Sequence, residues 1–236
     1  MMELHLFSTS GEHDIEFILE ACSSILEGLP GPVVAYLPAA SVHRRWVRET
    51  RAAFRGLAQI VAINPETHPP ERIRAILDQA SMLYIPGGNT YLLSQRLHAC
   101  LLPERGGSGG LGSVTLLAEI RARLRASLPL VAFSAGAVLC GVDILTTNDI
   151  NCCGCTQFDG LGLLPFNLNV HYPGDDATRQ ARDERLQEYL AFHPGIVVAL
   201  EDGAYLRVLG EEISLIRGTA WRLERGAHKS SVMREK

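Results

Sequence analysis

A serine lies where a run of large apolar residues gives way to small ones, a setting in which its hydroxyl can act as a nucleophile. The segment Leu130–Gly141 reads LVAFSAGAVLCG, so a buried strand is expected to end at Ser134 and a helix to begin after it. This is the build of a nucleophile elbow, in which the following backbone N–H faces the reacting carbonyl oxygen. The usual pattern is G-x-S-x-G, and because Ala132 stands at the first position, a serine that only packs is the alternative.

A pair of glycines follows a second apolar run, in the segment Tyr84–Leu93 (YIPGGNTYLL). Glycines at the end of a strand let the backbone approach a ligand, and the helix that Asn89 or Thr90 can cap would present N–H groups there. In a parallel sheet, this loop and the serine lie at the same carboxyl edge. We therefore expect the N–H groups of Ala135 and Gly88 to form an oxyanion hole. An ordinary strand–turn–helix connection is the alternative.

A serine nucleophile needs a base, and the chain has eight histidines. His171 differs from the others because it follows an alternating strand, Phe166–Val170, and precedes a Tyr-Pro-Gly turn. A ring at such a strand end can reach the same edge of the sheet. A purely structural histidine is the alternative.

The elements that would position these groups alternate between short apolar runs and amphipathic stretches. Strands are predicted at Leu4–Ser8, Val33–Leu37, Leu57–Ile63, Met82–Ile85 and Leu130–Phe133, and helices at Asp14–Glu27 (capped by Asp14), Arg44–Phe54, Glu71–Gln79 and Thr115–Arg125. This alternation predicts an α/β fold with a mostly parallel sheet and helices on both faces. Further strands at Ile196–Leu200, Tyr205–Val208 and Ile213–Ile216 have short connections, so this part of the chain should pair largely antiparallel.

Composition limits the classes of protein that this chain can belong to. Its 236 residues are 47% hydrophobic and 20% charged, which fits a single domain over 1–236 with its own core. A net charge of −4 argues against a nucleic-acid partner. The chain has no long apolar run and no basic leader, so we expect no membrane partner and a cytoplasmic location.

The sequence does not decide the roles of two features, a CxxC pair and a glycine-rich tract. Cys152 and Cys155 form a CxxC without a second pair, so reduced thiols are favoured over a metal site, and neither a metal nor a cofactor is expected. The glycine-rich tract Glu104–Ser113 is either a lid over the site or a spacer.

Seven motifs in order resemble the peptidase E (aspartyl dipeptidase) and cyanophycinase family of serine peptidases. They are ELHLFSTS at the start, IPGGNTYLL, FSAGA, TTND at 146–149, NxH at 169–171, RDERLQEYL and LEDGAYLRV. The resemblance implies a flavodoxin-like sheet similar to that of class I glutamine amidotransferases. It also implies Ser134 as the nucleophile and His171 as the general base.

The third member of a triad has three candidates. Asp202 stands where the family's aspartyl dipeptidases carry a glutamate, and a carboxylate there would orient the histidine. Glu201 precedes it, but adjacent strand residues point to opposite faces, so only one of the two can face His171. Asp149, in the TTND motif, is implied as a site residue that positions substrate. The resemblance favours Asp202.

The same resemblance implies substrate-binding residues and an activity. Arg182 and Arg185 match the family's arginine positions, where a guanidinium would pair with an N-terminal aspartate, and Asn89 belongs to the glycine loop. The loop before these arginines is shorter than in the family, so a solvated helix face and a broader aminopeptidase specificity are alternatives. We expect a serine exopeptidase acting on small peptides, with a homo-oligomer allowed. A β-aspartyl peptidase and a non-catalytic binding module are the other hypotheses.

Overall fold

The computed structural model describes residues 1–8, 15–43, 45–104 and 112–232, which form thirteen strands and seven helices. The strands are β1 (Glu3–Ser8), β2 (Val33–Tyr36), β3 (Gln59–Ala62), β4 (Met82–Ile85), β5 (Leu101–Pro103), β6 (Ser113–Thr115), β7 (Leu130–Phe133), β8 (Asn167–Tyr172), β9 (Ile196–Glu201), β10 (Ala204–Leu209), β11 (Glu212–Arg217), β12 (Ala220–Glu224) and β13 (Ser230–Ser231). The helices are α1 (Ile15–Leu26), α2 (Arg45–Ala53), α3 (Pro70–Gln79), α4 (Thr90–Ala99), α5 (Leu116–Arg125), α6 (Ala135–Val138) and α7 (Asp176–Phe192). The cap expected at Asp14 and most of the glycine-rich tract lie outside these ranges.

The main sheet has seven strands in the order β11-β10-β1-β7-β4-β2-β3. The five from β1 to β3 in this order are mutually parallel, while β10 is antiparallel to β1 and to β11. This is the flavodoxin-like, mostly parallel arrangement with an antiparallel addition that the sequence predicts.

Helices cover both faces of the main sheet, because its central strands are buried on both faces. In β4, Leu83 and Ile85 pack into one core with α3, α4 and α5. Met82 and Tyr84 point the other way, into a second core that contains the apolar side of α1. A strand with apolar residues on both faces reads as a continuous apolar run, which is why these strands are recognisable in the sequence.

The strands of the last third of the chain pair largely antiparallel, as expected, but they lie in two different sheets. Strand β9 does not pair with β10 but enters a second sheet, in the order β13-β12-β9-β8, where it is parallel to β8. The physical reason is that both edges of β10 are occupied, by β1 over six residue pairs and by β11. Helix α7 packs on this second sheet through Leu186 and Leu190.

Element boundaries otherwise deviate by a few residues. The predicted strand Leu57–Ile63 is shorter because the N–H groups of Leu57 and Ala58 bond to the carbonyl of Phe54 in a turn, so β3 begins only at Gln59. The sequence analysis does not predict the short β5–β6 pair that flanks the glycine-rich tract. Over the described ranges, no helix is both long and apolar enough to cross a membrane.

Candidate active site

Ser134 lies on a strained turn between β7 and α6. Its backbone has φ 52° and ψ −118°, a region that a residue with a side chain rarely adopts. Such a conformation costs on the order of 1–3 kcal/mol and persists only where its surroundings enforce it. Here the Ser134 N–H donates to the carbonyl of Phe7 at 3.0 Å, and the Ser134 carbonyl accepts from the N–H groups of Ala137 and Val138. The elbow expected from the sequence is therefore present.

The small residue after the elbow is required by close packing. A Cβ on Gly136 would lie 2.4 Å from the carbonyl oxygen of Ile85, so α6 approaches the end of β4 more closely than any side chain allows. This explains the small residues that follow Ser134, although Ala132 replaces the first glycine of the usual pattern.

The glycine loop after β4 is just as constrained. Gly88 has φ +139°, and a Cβ there would lie 2.4 Å from the Ala40 carbonyl oxygen. That oxygen accepts from the Asn89 N–H at 2.8 Å, which fixes the loop. Within the described ranges, the N–H groups of Gly88 and Ala135 have no hydrogen-bond partner. Their role as oxyanion donors stays a prediction.

His171 lies between the serine and a carboxylate. Its Nε2 is 2.9 Å from Ser134 Oγ, and its Nδ1 is 2.6 Å from Asp202 Oδ1. An ionised carboxylate only accepts hydrogen bonds, so Nδ1 carries the proton and Nε2 is left to accept from the serine hydroxyl. The ring is placed by an irregularity in β8, where the register with β9 shifts and His171 has φ 54°.

The two neighbouring carboxylates, Glu201 and Asp202, point in different directions. Glu201 ends β9 and accepts from Arg179 Nη2 at 3.2 Å and from Trp221 Nε1 at 2.8 Å. Asp202 lies in the turn that follows, on the side of His171. The structure thus brings Asp202, and not Glu201, to the histidine.

Asp149 and Asn89 shape the glycine loop. The Asp149 carboxylate accepts from the Thr90 N–H at 2.7 Å, from the Thr90 hydroxyl at 2.6 Å and from the Thr147 hydroxyl at 3.0 Å. Asn89 caps α4 by accepting from the Leu92 N–H, and its side-chain amide donates to the Ile150 carbonyl. Both side chains hold the start of α4 in place. Asp149 forms no hydrogen bond with His171, whose carboxylate partner is Asp202.

Arg182 and Arg185, in α7, line a small cavity of about 180 Å³ together with Asn169 of β8. Arg182 Nη1 donates to Asn169 Oδ1 at 3.2 Å, so this arginine lies near the strand that carries the histidine. Burial lowers the pKa of Arg182, and the neighbouring positive charge of Arg185 lowers it further. In the described part of the chain, neither arginine forms an ion pair. Glu188 also lines the cavity, so two guanidinium groups face one carboxylate there, and the excess positive charge suits an anionic group.

The sequence analysis missed Ser8, which connects the parts of the site. Its fully buried hydroxyl accepts from the His171 N–H at 2.9 Å and donates to the Leu200 carbonyl at 3.1 Å. Its carbonyl accepts from the N–H of Gly203, the residue after Asp202, at 2.7 Å. The end of β1 is therefore bonded to the segments that carry the nucleophile, the histidine and the carboxylate. A polar residue at the end of a buried strand is the only sequence signal for this role.

The cysteines after Asp149 form no metal cluster. All six cysteines are free thiols, and Cys152 is exposed while Cys155 is buried. Among the residues with a described placement, no group of three or more His, Cys, Asp or Glu side chains could hold a metal ion.

A hydroxyl, an imidazole and a carboxylate in series at the edge of a parallel sheet are typical of α/β serine hydrolases. Comparison with known families gives the more specific assignment. The model of peptidase family S51 matches residues 4–216, so the chain belongs to this family and is a serine peptidase. The resemblance seen in the motifs is thereby confirmed.

Individual relatives agree with this assignment. The chain is 27% identical over 223 residues to peptidase E of Actinobacillus pleuropneumoniae serotype 3, covering 92% of this chain and 89% of the relative. It is 30% identical over 220 residues to peptidase E of Streptomyces coelicolor, covering 91% and 84% respectively. A Drosophila melanogaster protein named as a probable alpha-aspartyl dipeptidase is 35% identical over 152 residues, covering 62% of this chain and 57% of the relative.

Solved structures show the same fold. The crystal structure of a peptidase from an acI-B1 actinobacterium superposes with a TM-score of 0.69 at 14% identity, covering 100% of this chain and 96% of the other.

Proposed function

We propose that this serine peptidase is an exopeptidase that hydrolyses the first peptide bond of dipeptides or short peptides through Ser134, His171 and Asp202. The observation that carries the proposal is the hydrogen-bond series of 2.9 Å from serine to histidine and 2.6 Å from histidine to aspartate. Donor and acceptor already lie within proton-transfer distance, so no rearrangement is needed before the reaction.

In the proposed reaction, His171 Nε2 takes the proton of the Ser134 hydroxyl while its oxygen attacks the carbonyl carbon of the first peptide bond. The N–H groups of Ala135 and Gly88 stabilise the negative oxygen that forms. His171 then gives the proton to the leaving amine, and the Ser134 ester remains. A water molecule, activated by the same histidine, hydrolyses this ester. Asp202 stabilises the imidazolium in both steps.

We further propose that the substrate carries a carboxylate near its amino end. The support is the small cavity beside β8, where Arg182 and Arg185 lack ion-pair partners in the described chain. The name of the Drosophila relative, an alpha-aspartyl dipeptidase, agrees with an N-terminal aspartate. A broader aminopeptidase specificity is the alternative, because Arg182 and Arg185 can also serve only as the polar face of α7. The cytoplasmic location and a homo-oligomeric state stay sequence-based predictions.

The test replaces the nucleophile and varies the substrate. Ser134→Ala should lower kcat/KM by at least about 10³-fold, because the nucleophile and base act as one unit. Its melting temperature and circular dichroism should match those of the parent. The matched control is Ser23→Ala, which removes an exposed hydroxyl on α1 and should leave kcat/KM unchanged. The assay compares α-Asp-Leu, Leu-Leu and β-Asp-Arg.

Preference for α-Asp-Leu supports the arginine assignment, and equal rates on α-Asp-Leu and Leu-Leu favour the broader specificity. Faster cleavage of β-Asp-Arg would replace the proposal with a β-aspartyl peptidase. Hydrolysis by Ser134→Ala at the parental rate would remove the nucleophile assignment altogether.

A further inference from the structure

A second and larger cavity, of about 850 Å³, lies against α2 beside β3. Its volume is in the range of small-molecule sites, which is about 300–1,000 Å³. None of the proposed catalytic residues lines it. Its walls carry five arginines but only one carboxylate, Glu66; the arginines are Arg48, Arg51, Arg55, Arg72 and Arg96.

The arginines reach the cavity from three helices and the turn that follows the first of them. Arg48, Arg51 and Arg55 follow one another at spacings of three and four residues along α2 and the turn after it, so they share one face. Arg72 of α3 and Arg96 of α4 reach the same cavity from other elements. Three elements distant in sequence therefore place guanidinium groups around one space.

These positive charges are mostly uncompensated. Arg96 pairs with Glu66 at 2.9 Å and donates to the carbonyls of Ala39 and Ser41, which makes it part of the wall. In the described residues, the side chains of Arg48, Arg55 and Arg72 have neither an ion pair nor a hydrogen bond to the protein. The chain as a whole has a net charge of −4, so this local excess opposes the overall sign.

The same positive charge acts on a histidine in the cavity wall. Burial, and then the charge of Arg72, lower the pKa of His68, which favours its neutral imidazole. Like charges held together repel each other, and a bound anion would relieve that repulsion while accepting several guanidinium hydrogen bonds.

We propose that this cavity binds a small molecule with two or more closely spaced anionic groups, either phosphates or carboxylates. Arginine suits both, because its planar fork of N–H donors matches two oxygens of either group. The site is separate from the hydrolytic one, so the inference holds whether or not the proposed triad is correct.

The test is isothermal titration calorimetry of the full chain with three probes: tripolyphosphate, triglutamate and uncharged triglutamine. We expect one-to-one binding of tripolyphosphate or triglutamate, weakened as salt is raised, and no binding of triglutamine. In the double variant Arg48→Gln/Arg55→Gln, the dissociation constant should rise at least about tenfold. Glu66→Gln removes the one carboxylate among the residues that line the cavity and should lower the dissociation constant.

The matched control is Arg45→Gln/Arg225→Gln, which removes the same charge from positions that are exposed like Arg48 and Arg55 but lie outside the cavity. It should leave the dissociation constant within about twofold of the parent. The anion that binds more tightly shows whether the ligand's anionic groups are phosphates or carboxylates. Equal weakening in both double variants, or no saturable binding of either anion below about 1 mM, would overturn the proposal. Arg72→Gln provides an independent variant should the α2 double variant fail to fold.

Discussion

At the scale of single residues, the site depends on one hydroxyl that takes no part in the proposed chemistry. Ser8 fixes the backbone of His171 and of Leu200, while its own carbonyl holds the turn that carries Asp202. The positions of the histidine and the aspartate are thus set by the same residue. Ser8 is a positioning residue, since it touches none of the reacting atoms.

Removing this hydroxyl should impair turnover more than binding. We expect Ser8→Ala to lower kcat by about ten- to a hundredfold with little change in KM, since a small misplacement of the base is enough. The variant should also lose roughly 1–3 kcal/mol of unfolding free energy, because the partly buried His171 N–H loses its acceptor. Steady-state kinetics and chemical denaturation measure both quantities.

The control for this experiment is Ser214→Ala, which removes another buried hydroxyl of the same sheet, one that bonds Glu212 away from the site. It should change stability without changing kcat. A Ser8→Ala enzyme that is less stable but turns over at the parental rate would reduce Ser8 to a purely structural residue.

Residue types indicated the proposed catalytic groups but not the residue that positions them. Ser134 and His171 stand at the ends of recognisable strands, and Asp202 stands in a recognisable motif, so all three could be proposed from the sequence. Ser8 contacts residues 163 and 192 positions away. No local pattern encodes contacts over such separations, so its role could not be inferred.

At the scale of elements, the elbow works because α6 and β4 are packed without space for a side chain. The carbonyl oxygen of Ile85 lies only 2.4 Å from the place that a Cβ of residue 136 would take. This close approach, together with the bond from Ser134 to Phe7, keeps the serine in its unfavourable backbone conformation. The strain is a property of how three elements meet.

Gly136→Ala should therefore push α6 away from β4. We expect a loss of roughly 1–3 kcal/mol in unfolding free energy, as for other overpacked positions, together with reduced kcat because Ser134 moves with the helix. Gly174→Ala is the control, since its Cβ would come no closer than 3.8 Å to Glu201 and its backbone needs no positive φ. Equal stability of the two variants in denaturant titrations would contradict the packing argument.

The elements themselves were largely predictable, but the partners of the later strands were not. Strands such as β4 are apolar on both faces and are bounded by turns, which a sequence shows directly. The separation of β9 from β10 depends on which edges other strands have already occupied, β1 above all. A short connection shows that two strands follow each other closely in sequence, but it does not determine which sheet each strand joins.

At the scale of the whole molecule, β1 joins the early and late parts of the chain. It pairs with β7 on one side and with β10 on the other, so the last third completes the sheet that the first residues begin. Neither part has a complete set of strand partners alone. We therefore expect the described chain to unfold as one unit, in line with the single domain predicted from its length.

Two tryptophans allow this to be tested, Trp46 on α2 and Trp221 on β12. In the variants Trp221→Phe and Trp46→Phe, which each retain one reporter, fluorescence and far-ultraviolet circular dichroism should give the same thermal midpoint within each variant. Two separated transitions, with one tryptophan reporting each, would show that the early and late parts of the chain unfold independently.

The late position of β10 has a consequence for biosynthesis. A chain emerging from the ribosome completes its amino-terminal segments first. Asp202 and strand β10, which pairs with β1, are synthesised only after most of the polypeptide has been made. If Asp202 completes the triad as proposed, translation intermediates and premature-termination products that end before it should lack peptidase activity.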